Sequence, residues 1–461
     1  MKKILSLIFL NYLRLFAKLQ LAKIGLVQKI KGKKLIIVGI TGSAGKTSTL
    51  LATQATLTPN FKVKTNSSGN SESGIPLSIL DIKINGFSPK DWLIVALLAP
   101  IKLIANWKTY DIFLVEMGID GPIPPQNMSY LLKIIKPTIG IFLNVGSVHS
   151  MQFDNTISKD IKGNQRLKNV TENIGREKAK LINSLPLTGF AILNLDDSIV
   201  SQTTHFSPAH KLTIGHSSGE PTFKIIKTQT GPNGFSLSFS YQRKRYQLNL
   251  PKFVLPQIYS VSIAAALLTA ASLKINIDTA IQNLTQNLHV PHGRSSLFEG
   301  INNSKIIDSS YNSSPLACIE MLDLLKNFPS PRIAILGDMR ELGLESPQAH
   351  KTIYQKAQNS ADLIISVGPE TQKYFTHPKL SAKEGLPSTL FFQYWWQALK
   401  FIKSHPEFVK GSTMLVKGSQ NTIFLEELIK PLLKNQSDIK HLCRQSPYWL
   451  QVKHNFKNSI K

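Results

Sequence analysis

The stretch GITGSAGKTST, Gly39 to Thr49, places glycines, a lysine and several hydroxyl side chains between an apolar run and a helix-compatible one. Glycines let backbone N–H groups approach phosphate oxygens, and a helix opening at Lys46 turns its positive dipole end towards them. In such a loop Gly42, Ser43, Gly45 and Ser48 line the phosphates. Lys46 reaches the β- and γ-phosphates and the Thr47 hydroxyl binds Mg²⁺. The strict form of the pattern asks for a glycine five residues before Gly45. That position is Ile40, flanked by Gly39 and Gly42. A chance glycine turn is the alternative, and the strand-like LIIVGI before the loop and Gly-Lys-Thr at the helix start argue against it. The chemistry expected is binding of a nucleoside triphosphate, ATP, with Mg²⁺.

The elements that must position this loop read as an α/β fold. LIIVGI, FLVEMG, TIGIFLNVG (138–146) and FAILNLDD (190–197) are short buried strands separated by helical stretches, the pattern of a parallel sheet. Residues 210–250 alternate around a Pro-Asn-Gly turn, as an antiparallel hairpin does, and an alanine-rich helix follows from Ser262 to Ser272. SKIIDSS, RIAILGDM, DLIISVG and TMLVKGS begin a second α/β series beyond HVPHGRSS, a Pro- and Gly-bearing linker. The expected organisation is a basic amphipathic helix over 1–34 and a central parallel-sheet ATP-binding domain over 35–294. A C-terminal Rossmann-like domain follows over 295–435, then a basic tail over 436–461, which either packs as a final helix or meets an anionic partner.

The chain has 461 residues, 42% hydrophobic and 18% charged, a composition with apolar material for more than one core. Its two cysteines, Cys318 and Cys443, are too few for a disulfide framework, which fits a reducing cytoplasm. The net charge is +26, and the first acidic residue is Glu72. No nucleic-acid-binding signature accompanies that charge, so nucleic acid is not the expected partner. The N-terminal KKILSLIFLNYLRLFAKLQLAKIGLVQKI is interrupted by Arg14, Lys18 and Lys23 and is too short of apolar residues to span a bilayer. It reads as an amphipathic helix that either lies on an anionic membrane face or packs on the next domain. Trp92 to Trp107, broken by Pro100 and Lys102, reads as a buried or lid-like helical piece.

Several motifs together resemble the Mur ligase family. They are the TGSAGKT loop, GNSESGIPLSIL (69–80), EMGIDGPI (116–123), NVGSVHS (144–150), REKAKLINSLP (176–186), LNLDD, HGR, IIDSSYNSSP, LGDMRELG and VKGSQN, in the family's order over about residues 35–430. IIDSSYNSSP and LGDMRELG are similar to the branch that adds D-alanyl-D-alanine. The resemblance implies an ATP-dependent ligase of peptidoglycan precursor synthesis, expected as a cytoplasmic monomer, and the amphipathic N-terminal helix adds the inner membrane face as an alternative place. It would join a muramoyl-tripeptide acid carried on UDP to D-alanyl-D-alanine through an acyl phosphate. It also implies roles by position: Glu116, His149 and Lys178, the last as a carbamate, would bind metal beside Thr47. Arg294, Asp308, Tyr311 and Asn312 would contact the nucleotide, and Asn70, Glu72, Lys417 and Ser419 the substrates. Lys180, two residues from Lys178 on one helix, would point elsewhere.

The chain departs from the family pattern in three places. Only ~34 residues precede the first strand, too few for the family's UDP-binding domain. LPQIYSVSIAAA lacks the His and Asn that usually precede the alanine-rich helix, and the paired aspartates of the ribose loop are here Asp308 and Ser309. These departures leave room for another carboxylate: a lipid-linked wall precursor, a folate polyglutamate or a cyanophycin-type peptide. A catalytically idle nucleotide-binding module would be expected to lose Lys46, Glu116 or Lys178, and all three are present.

Overall fold

The computed structural model describes residues 2–460 apart from 67–68, 85–87, 147–149, 159, 217–219, 252, 376–387 and 420–421. Two sheets organise the chain. The first holds β1 (Ile36–Thr41), β2 (Val63–Thr65), β3 (Ile112–Glu116), β4 (Ile139–Phe142), β5 (Phe190–Asn194), β6 (His210–Gly215), β7 (Phe223–Gly231), β8 (Gly234–Tyr241) and β9 (Lys244–Leu250). Their order is β2-β3-β1-β4-β5-β6-β7-β8-β9. The strand that feeds the glycine loop is central: β1 pairs in parallel with β3 on one side and β4 on the other, with Ile40 opposite Glu116 and Thr41 opposite Phe142. Crossover helices cover both faces of a parallel sheet, which is why β1, β3 and β4 read as unbroken apolar runs. Phe113 and Phe142 are fully buried there; a side chain of that size contributes roughly 1.5–3 kcal/mol by leaving water.

The second sheet holds β10 (Ser296–Glu299), β11 (Lys305–Ser309), β12 (Arg332–Gly337), β13 (Leu363–Val367), β14 (Thr389–Phe392) and β15 (Thr413–Lys417), in the order β10-β11-β15-β12-β13-β14. All its pairings are parallel except that of β10 with β11. Sequence pattern alone marks β11, β12, β13 and β15. It does not mark β2, β6, β10 and β14, which have three to six residues and little pattern of their own.

Two compact units emerge. One comprises Met1–Ile226, Ser238–Tyr246 and Tyr259–His289; the other comprises Lys227–Leu237, Gln247–Ile258 and Val290–Lys461. The stretches of β7, β8 and β9 are thus divided between them. In the first unit, α2 (Lys46–Leu57) opens at the end of the glycine loop, while α1 (Lys2–Ile30), α3 (Gly74–Leu80) and α4 (Pro89–Ala105) pack on one another. Leu13 of α1, Leu77 and Leu80 of α3 and Val95 and Ala99 of α4 share one small core. The segment from Trp92 to Trp107 is helical as expected up to Ala105, and it is a surface helix and not a buried one. Ser88 caps α4 with a reciprocal bond to Asp91, and only Val95 and Ala99 on that helix are buried. The tail also folds: Pro447–Asn458 is a helix whose Lys453 is buried against Glu427 and the Arg444 carbonyl.

Candidate active site

The glycine loop follows β1 directly. Gly45 has φ +83°, a left-handed conformation that a side chain would strain, and it releases the chain into α2 at Lys46. The segment after β4 clamps the loop. Ala44 N–H donates to Asn144 Oδ1 at 2.8 Å, Asn144 Nδ2 donates to the Ala44 carbonyl at 3.1 Å, and Gly146 N–H donates to Ser43 Oγ at 2.8 Å. Asp197 secures this clamp in turn by accepting from Val145 N–H at 2.8 Å. These contacts from Asn144 and Gly146 to the loop are neutral. Thr47 and Ser48 are half-buried at the opening of α2. Thr49, one residue on, bonds Ser262 Oγ of the alanine-rich helix Tyr259–Ser272 at 3.0 Å.

Two lysines meet at this loop. Lys46 Nζ donates to the Gly42 carbonyl at 2.9 Å, and Lys178 Nζ donates to the same oxygen at 3.2 Å. Lys178 is buried in the helix Gly163–Asn183, an amphipathic helix whose inner face also carries Ile174, Leu181 and Ile182. Burial drives the Lys178 pKa well below its ordinary value; the charge of Lys46 lowers it further, and Asp120 opposes the shift. Lys180, on another face of the helix, pairs with Glu177 instead, as its offset required.

Glu116 ends β3 at half-burial, one strand over from the loop. Asn66 braces it, exchanging bonds with the Glu116 N–H at 3.0 Å and carbonyl at 3.1 Å. Asn70 meets the next turn, its carbonyl accepting from Gly118 N–H at 3.1 Å. Glu72 is half-buried, and burial raises its pKa, with Asp120 acting in the same direction. Asp120 thus acts electrostatically on both Glu72 and Lys178. In the sequence it stands only as part of EMGIDGPI, and nothing in its spacing marks it out. His149 lies outside the described residues. Among those described, no group of three or more His, Cys, Asp or Glu is placed to hold a metal.

In the second unit the expected residues gather at the ends of β11 and β15. Asp308 is buried, with Oδ1 accepting from Ser310 N–H at 3.0 Å and Ser310 Oγ at 2.6 Å while Oδ2 has no partner among the described residues. Burial raises its pKa to about 6, against the Ser310 bonds. Gly293, at φ +72°, turns the chain so that its carbonyl accepts from Tyr311 N–H at 3.1 Å, and the Arg294 guanidinium lies 4.8 Å from the Tyr311 ring centre. Lys417 is buried and donates to the Asn312 carbonyl at 3.0 Å. Its pKa falls to about 8 through burial, with Arg294 lowering it and Cys318 and Asp308 opposing. Ser419 Oγ joins the cluster, donating to the Ser313 carbonyl at 3.3 Å and accepting from Arg340 N–H at 3.0 Å.

One decisive residue of this region goes unmarked in the sequence. Arg444, in the tail, donates to the carbonyls of Ser310 and Tyr311 at 2.9 Å each and forms a buried pair with Glu426 at 2.6 Å. A single arginine in a stretch without a motif carries no local signal; its role exists only once the tail folds back.

A phosphate loop after a central parallel strand, joined in one chain to a second parallel α/β unit, defines a nucleotide-binding α/β protein of the P-loop class. Comparison with known families narrows this. The Mur ligase middle domain matches residues 40–268, and the Mur ligase, glutamate ligase domain matches residues 293–420. The chain belongs to the Mur ligase family. It is 28% identical over 326 residues to the UDP-N-acetylmuramoyl-tripeptide--D-alanyl-D-alanine ligase of Synechocystis sp., an alignment covering 70% of this chain but 59% of that protein. To the ligase of the same name from Escherichia coli it is 22% identical, covering 87% of this chain and 77% of that one. The fold matches that of the MurF ligase from Thermotoga maritima, crystallised in complex with ADP, with a TM-score of 0.69 and 22% identity over 91% of this chain and 84% of that one.

Proposed function

We propose that this chain is an ATP- and Mg²⁺-dependent ligase that joins the carboxylate of a muramoyl-tripeptide to the amine of D-alanyl-D-alanine in peptidoglycan precursor synthesis. The observation that carries the reading is the convergence of Lys46 and Lys178 on the Gly42 carbonyl of the phosphate loop. The substrates are those in the names of the Synechocystis and Escherichia coli relatives.

A carboxylate and an amine do not condense readily in water. The acid first takes the γ-phosphoryl group of ATP, giving an acyl phosphate and ADP. The amine then attacks the acyl carbon, phosphate leaves, and the ammonium proton is lost. The phosphoryl step needs placement and charge neutralisation more than covalent help. The loop N–H groups and Lys46 supply both. Mg²⁺, when bound, would neutralise phosphate and carboxylate oxygens. Thr47 and Glu116 offer the oxygen donors that a hard cation prefers. Lys178 adds a further donor after modification. A lysine driven towards its neutral amine can attack CO₂ and lose a proton, converting a cation beside Lys46 into a carbamate anion. In the second unit Arg294, Asp308, Tyr311 and Asn312 would meet the nucleotide, and Lys417 and Ser419 the amino-acid substrate, with Asn70 and Glu72 facing the acid.

Phosphate release from ATP, measured with D-alanyl-D-alanine present and with or without UDP-muramoyl-tripeptide, tests the reading. Release that needs both substrates is the expected result. Slow turnover indifferent to both would keep the ATP site and move the acid to another carboxylate, lipid-linked ones first.

A further inference from the structure

Two helices of the first unit each carry two apolar faces, and only one face of each is covered. On α1 the inner face is Leu10, Leu13, Ala17 and Ile24, all buried. Ile8, Leu15, Leu19, Leu26 and Ile30 recur at steps of seven and four residues, the spacing of a single stripe on the opposite side, and all are exposed, Ile30 by 78%. On α4 the inner face is Val95 and Ala99, while Leu93, Leu97, Ile101 and Ile104 form an outer stripe, Ile104 being 74% exposed. Exposed Trp107 lies just past the helix end.

The two helices lie side by side and run the same way. Phe9 packs edge-on to Trp92 at 5.2 Å, Tyr12 Oη donates to the Ala96 carbonyl at 2.7 Å, and Gln20 Nε2 donates to the Asn106 carbonyl at 3.0 Å. Lys23 reaches the Leu103 carbonyl and sits over the Trp107 ring. Both turn their inner faces to the core formed with Leu77 and Leu80, so both outer stripes look away from it together. Of the 20 exposed large hydrophobic side chains among the described residues, 12 lie on α1, α4 and Trp107. Apolar residues scattered singly over a surface need no explanation; this concentration does.

We propose that α1 and α4 together form a docking surface for an anionic lipid bilayer. Charge selects this occupant. Exposed Lys18 and Lys29 border the α1 stripe, Lys31 and Lys34 continue from its end, and Lys90 opens α4. No acidic residue occurs before Glu72, and the one acid on α4, Asp91, accepts from the Ser88 N–H and Oγ in the helix cap. An apolar stripe bordered by lysines fits acyl chains below and anionic headgroups at the rim. Neither helix is long and apolar enough to cross a membrane, so the pair would lie in the interface plane. The surface rests on the first unit alone and is independent of the substrate the enzyme uses.

Flotation of the full chain with vesicles tests the proposal. Vesicles containing phosphatidylglycerol should carry the protein, neutral phosphatidylcholine vesicles should not, and raised salt should release it. The exposed pair Leu97→Glu/Ile101→Glu, and separately Leu19→Glu/Leu26→Glu, should each lower the floated fraction roughly tenfold with circular dichroism unchanged. The α4 pair separates the two-helix surface from α1 acting alone: full binding by that variant overturns the proposal. So does absence of binding to anionic vesicles, or equal binding to neutral ones. A solution dimer that the same substitutions split, without vesicle binding by the full chain, would assign the face to a second copy and likewise overturn it.

Discussion

Two strand-end loops are steadied by opposite means. The phosphate loop is held by neutral groups from the next strand, Asn144 and Gly146 against Ser43 and Ala44. The loop after β11 is held by a charge, the Arg444 guanidinium donating to the Ser310 and Tyr311 carbonyls and neutralised by buried Glu426. Each region also buries one lysine. Burial lowers the pKa of both; around Lys178 the Lys46 ammonium lowers it further and Asp120 opposes, while around Lys417 Cys318 and Asp308 oppose and Arg294 lowers it. In the first region two amines meet on one carbonyl, and Lys178 is pushed towards its neutral form. In the second, Cys318 and Asp308 offset part of the lowering, and Lys417 donates to the Asn312 carbonyl.

Four substitutions would break or sharpen that contrast. Lys46→Ala should show the largest effect, a loss of ATP turnover on the order of a thousandfold in a phosphate-release assay, because it removes a charge placed for the transferring group. Persistent turnover would sink the phosphate-loop assignment. Arg444→Met takes from buried Glu426 its guanidinium partner and leaves Lys453 at 2.9 Å as its remaining counter-charge; the loss should cost about 2–3 kcal/mol, read as a lower midpoint in denaturant. If stability is unchanged, the charged clamp is not what secures the second loop. Lys178→Ala should lower ligation on the order of a hundredfold, with partial recovery in acetate as a short carboxylate takes the carbamate's place. Full activity without rescue would end the carbamate reading.

Asp308→Asn is the smallest and works through pH. The folded pKa of Asp308, about 6, lies above the ordinary 3.8, so between those values the folded state binds more protons than the unfolded one. Stability should therefore fall as pH rises from about 4 to 6, and the penalty is complete above that window. The amide variant should flatten this slope and raise stability at neutral pH by on the order of 2 kcal/mol. An unchanged pH profile of thermal unfolding would show that Asp308 ionises without cost.

The residues most legible in the sequence are those whose partners are near in the chain. Gly45, Lys46 and Thr47 form one turn, and β1, β3, β4, β11, β12 and β15 announce themselves as apolar runs. Residues whose meaning depends on remote partners are invisible or ambiguous there. Asp120 acts on Lys178 through space, and Ser262 meets Thr49 across 213 positions. The tail's alternatives close only because Lys453 and Arg444 find Glu426 and Glu427.

By itself, the order of residues determined the parallel α/β series, the phosphate loop and the family, since alternating apolar runs, glycine turns and motif order are local properties of the chain. Only the tertiary structure decided that two amines share the Gly42 carbonyl, that a distant arginine steadies the loop after β11, and that α1 and α4 keep an apolar face uncovered. Periodicity shows that a helix has an apolar stripe; whether another element covers that stripe depends on what the rest of the chain brings against it.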